Sequence, residues 1–102
     1  MGFHETARQH EHLLAQLNEE RVSALVRISK TLESLLSQLN ESRSRLAAAR
    51  GDIRARELAV YRDLHQRASQ YRWYLEVQRE SLGLRQHHRL DEFYKVPPAI
   101  DR

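Results

Sequence analysis

Six histidines, fourteen carboxylates and seventeen lysine or arginine side chains are the groups of this 102-residue chain that could do chemistry. Their spacing assigns them little. His10 and His12 are two residues apart, and on a helix such a pair points to different sides. His87 and His88 are adjacent and meet the same difficulty. His4 and His65 have no ligand type three or four residues on. General acid–base catalysis needs a paired, desolvated acid and base. Here the carboxylates stand beside basic residues at helical spacing: Glu76 and Glu80 near Arg72 and Arg79, Asp63 near Arg62 and Arg67. Such ladders on a helix surface contribute ~0.2–0.5 kcal/mol per pair. The chain has no cysteine, so it offers no disulfide, thiolate ligand or thiol nucleophile. It also lacks a glycine-rich phosphate loop and a nucleophile elbow. The expectation is a protein that is not an enzyme and takes no cofactor, metal or small-molecule substrate.

What remains is binding. Trp73 lies in the densest aromatic stretch, with Tyr71 and Tyr74, and is flanked by Arg72 and Arg79. Helical spacing puts Tyr71, Tyr74 and Leu75 on or near one face and Trp73 elsewhere. Trp and Arg supply a disproportionate share of binding energy at interfaces, so Arg72, Trp73 and Arg79 are expected partner contacts. Residues 43–72 carry eight arginines against Asp52, Glu57 and Asp63. These could neutralise phosphates, with Arg50, Arg54 and Arg62 as the candidate nucleic-acid contacts. The arginines are spread around the helix, however: Arg54 and Arg62 fall about 80° apart and Arg56 and Arg67 about 20° apart at 100° per residue. No helix-turn-helix, basic zipper or RNA-binding signature accompanies them.

The elements that position these groups are legible from periodicity. Leu25, Leu32, Leu39 and Leu46 recur at seven, and Ile53 and Val60 continue the series. Leu14, Ile28 and Leu35 occupy the sites three positions later. This is a heptad seam, which must bury itself against another helix. Asn18 and Arg21 interrupt it near its start. No proline or glycine falls between Thr6 and Arg50, and strong helix formers dominate there. Residues 1–5 are expected to be a disordered lead. Thr6 and Gln9 fit a capping box for a first helix over 6–49. Gly51 and Asp52 would then end one helix and cap the next.

Beyond Gly51 the stripe changes phase. Tyr61, Ala68, Leu75 and Leu82 repeat at seven, with Leu64 and Tyr71 as partners. A straight coiled coil would not shift this way without a stutter. Either the chain reverses at a turn over 50–52 into an antiparallel hairpin, or one long helix continues through a local unwinding. The hairpin is the arrangement expected, with a second helix over 53–82 stopped by Gly83, and it would leave the first two or three turns of the first helix unpaired.

The expected fold is therefore all-α: a long antiparallel helical hairpin or coiled coil over 6–84 that assembles into a helical bundle. Its seam comprises Leu25, Ile28, Leu32, Leu35, Leu39, Leu46, Leu64, Tyr71 and Leu75. Residues 85–102 form a short helix and an extended tail through Pro97 and Pro98. The apolar tail residues Leu90, Phe93, Tyr94, Val96 and Ile100 either cover the bundle end or dock on another protein. No apolar stretch nears the ~20 residues that span a bilayer, and a cytoplasmic protein is expected. The function read from these features is a non-enzymatic adaptor, scaffold or chaperone-like subunit with a protein partner, itself included. The alternative is an arginine-rich helical accessory protein for nucleic acid.

Overall fold

The computed structural model describes residues 3–100 and contains three helices: α1 (Phe3–Ala48), α2 (Gly51–Ser81) and the short α3 (His88–Phe93). Helices α1 and α2 pack antiparallel against each other, so the phase change marks a reversal of the chain. The two-residue connection is Ala49-Arg50. Gly51 has φ 59°, the left-handed conformation that a side chain resists. Asp52 does not cap α2. The N-cap position belongs to Arg50, whose backbone is extended and whose side chain makes no cap bond there. Arg50 Nη1 turns back to the end of α1, donating to the carbonyls of Ala49 (2.9 Å) and Ala47 (3.3 Å). Asp52 remains in the first turn of α2, where a negative charge complements the helix dipole.

The N-terminus also differs from expectation. Residues 3–5 of the expected disordered lead are helical, and Thr6 lies inside α1 rather than capping it. Met1 and Gly2, the rest of that lead, fall outside the described residues, as do Asp101 and Arg102 of the tail. The stop at Gly83 is as the sequence implies. Gly83 takes φ 84°, its N–H donates to the Glu80 carbonyl, and the Leu84 N–H donates to the Arg79 carbonyl. These two bonds form a Schellman motif that satisfies carbonyls left open at the end of α2.

The core is thin. Leu32, Leu35, Leu39, Leu46, Tyr61, Leu64, Ala68 and Leu75 are buried along the α1–α2 seam, with Leu25, Ile28 and Tyr71 half-buried at its edges. Ser42 is also fully buried, and its hydroxyl donates to Glu57 Oε1 at 2.8 Å. Arg45 Nε reaches the same oxygen at 3.1 Å. A buried hydroxyl without a partner would cost about 1–3 kcal/mol, so this cross-helix pair fixes the register near the turn. Ile53 and Val60 stay exposed, because reversal ends the first stripe at the turn.

After Gly83 the chain doubles back along one flank of the hairpin. Leu90 of α3 is buried, and Tyr94, Val96 and Ile100 pack against the same core. Residues 95–100 form an extended strap. Proline has no N–H to offer a ladder, so the strap is held through its carbonyls. Tyr61 OH donates to the Pro98 carbonyl (2.8 Å), Arg62 Nε to the Ile100 carbonyl (3.1 Å), and His65 Nε2 pairs with the Pro97 carbonyl (2.9 Å). The molecule measures 75 × 23 × 17 Å. Among the described residues, no helix is long and apolar enough to cross a membrane.

Candidate interaction surfaces

The side chains expected to meet partners fall into three groups. Leu25, Ile28, Leu32, Leu35, Leu39, Leu46, Leu64, Tyr71 and Leu75 all belong to the cluster inside one chain. They are not a free oligomer seam: the reversal at Gly51 supplies their partner helix intramolecularly.

The second group divides. Leu90, Tyr94, Val96 and Ile100 lie on their own hairpin and present little apolar surface outward. Arg72, whose side chain is only 13% exposed, is held at 2.7 Å by both Glu76 and Asp91. It thereby ties α3 to α2. Arg79 donates through Nη2 to the Gln86 carbonyl at 3.0 Å, bracing the corner after Gly83. Trp73 stands apart from both arginines, about 100° round the helix from Arg72, and is 59% exposed. Its ring leans on Tyr74 at a centroid distance of 5.6 Å, and Tyr74 meets Tyr71 edge-on at 5.4 Å. Phe93 is 73% exposed. Of the expected partner contacts, Trp73 and Phe93 are thus the exposed ones.

The third group is Arg50, Arg54 and Arg62. Arg50 and Arg62 spend donors on backbone carbonyls, and Arg54 is half-buried and has a partner of its own. The three do not form one presented basic stripe. Among the described residues, no group of three or more potential metal-ligating side chains converges.

Two surfaces emerge that periodicity alone does not specify. The first is the N-terminal arm. Helix α1 has 46 residues and α2 has 31, so α1 extends about four turns beyond its partner rather than the two or three expected. From residue 6 to residue 23 every residue is exposed, including Leu13, Leu14, Leu17 and Val22. The second is an open groove of about 560 Å³ between α1 and α2, lined by Gln38, Glu41 and Arg45 on one side and Val60, Asp63 and Arg67 on the other, with Leu64 also bordering it. It lies on the flank opposite the strap, which occupies Tyr61, Arg62 and His65. The sequence does carry a signal for it: Ile53 and Val60 are seven apart and out of phase with the α2 core stripe. No protein-family model, curated protein or solved structure matches this chain.

Proposed function

We propose that this chain is a non-enzymatic helical interaction protein, an adaptor, scaffold or chaperone-like subunit that works by pairing its helices with a protein partner, itself included. The observation that carries the reading is surface left uncovered. The chain exposes 7940 Å², whereas a compact protein of its mass exposes about 6000 Å². The excess, roughly 1900 Å², exceeds the ~800 Å² per partner of a standard interface. The arm contributes to it: Leu13, Leu14 and Leu17 face water on a helix whose continuation is buried. The same reading assigns the protein to the cytoplasm.

Size-exclusion chromatography with light scattering, read at 260 and 280 nm, tests it. A protein-only species heavier than 12.1 kDa, or a defined complex with a protein partner, is the expected result. A peak carrying nucleic acid that disperses at high salt would replace it with the nucleic-acid alternative, tested in turn at Arg50, Arg54 and Arg62.

A further inference from the structure

We propose that two copies of the chain pair by reciprocal arm exchange, the N-terminal arm of each lying in the open α1–α2 groove of the other. This names the partner and surface of the interaction reading and rests on that reading. The arm is built as half of an interface. Leu14 and Leu17 keep the helical phase of the buried Leu32, Leu35 and Leu39. Their own α2 cannot cover Leu14 and Leu17, because it ends at Ser81, level with about residue 18 in the register set by Ser42 and Glu57, and the chain turns away at Gly83.

The groove is built as the other half. The strap closes one flank of the hairpin and leaves this one open, with Val60 exposed beside Leu64. Geometry brings the two together. If two α1 helices run antiparallel about a two-fold axis near Leu25, residue 13 of one copy falls beside residues 37–38 of the other. That level of the hairpin also holds Val60. The contact is isologous and closes on itself, so it yields a dimer rather than a fibre.

The groove lining itself is balanced, Glu41 and Asp63 against Arg45 and Arg67, so charge favours the pairing through the two regions as wholes. Residues 1–26 carry four glutamates against Arg8 and Arg21, whereas residues 43–72 carry eight arginines against three acids. An acidic arm meeting the basic loop half of another copy is attractive, and two basic loop halves meeting each other are not.

The natural chain has no cysteine, so single introduced thiols report contacts cleanly. Chains carrying Leu13→Cys are mixed with chains carrying Val60→Cys and oxidised. The heterodisulfide that joins one variant to the other is expected in excess over the homodisulfide of the Leu13→Cys variant. Predominance of that homodisulfide, or no interchain disulfide, overturns arm exchange. In parallel, light scattering should give twice 12.1 kDa for the natural chain and 12.1 kDa for Leu14→Asp/Leu17→Asp, with helical circular dichroism unchanged. A dimer that persists in the double variant preserves self-assembly and refutes exchange. A natural chain that is monomeric refutes exchange and leaves the interaction reading to stand on a different protein.

Discussion

The two halves of α1 share one stripe and have opposite fates. In residues 25–48 the stripe is buried against α2 and capped by the Ser42–Glu57–Arg45 contact. In residues 6–23 nothing is buried at all. A heptad pattern states that a helix needs a partner; the turn decides which stretch finds one in its own chain. Because α2 is shorter than α1, the supply of partner runs out, and the remainder of the stripe is left for another molecule.

Substitutions separate the halves by the size of their effect. Leu35→Asp places an unpaired charge in the dry seam, costing several kcal/mol against a total stability of about 5–15 kcal/mol for a domain. Loss of cooperative thermal unfolding by circular dichroism is expected; a folded Leu35→Asp chain would mean that the seam is not where the stability lies. Next comes Leu90→Ala, which empties a buried site outside the hairpin proper and should cost about 2–4 kcal/mol in urea denaturation. An effect below about 0.5 kcal/mol would show the strap and α3 to be loosely laid on α2. Gly51→Ala forces a side chain into the left-handed region and should cost about 1–2 kcal/mol, although nothing lies within 4 Å of the added methyl. A neutral result would mean the turn relaxes to another conformation. Smallest is Leu14→Asp, an exposed arm position, where the folded monomer should change by less than about 0.5 kcal/mol. A large loss of monomer stability there would erase the distinction between the halves.

The hairpin is legible in the sequence because Tyr61 and Leu64 depart from the register of Leu46, Ile53 and Val60, and because glycines stand where positive φ is required, at Gly51 and Gly83. Other features leave no periodic trace. The strap is held by side chains reaching backbone carbonyls, so its path along Tyr61, Arg62 and His65 depends on tertiary geometry rather than on a repeat. Arg50 is one arginine among many in sequence, and only the turn geometry makes it a cap for α1. Sequence proximity sets Arg72 and Arg79 beside Trp73, whereas helical rotation turns them towards α3 and the corner after Gly83. Trp73, which has no buried role, keeps its exposed face.

The most direct measurement of the central claim is amide hydrogen exchange resolved along α1, at two protein concentrations about a hundredfold apart. Residues 25–48 should be protected equally at both, as expected for a seam made within one chain. Residues 6–23 should exchange rapidly when dilute and gain protection when concentrated, because their partner is another copy. Equal, concentration-independent protection along the whole of α1 would contradict the account, and so would an arm that stays unprotected at both concentrations.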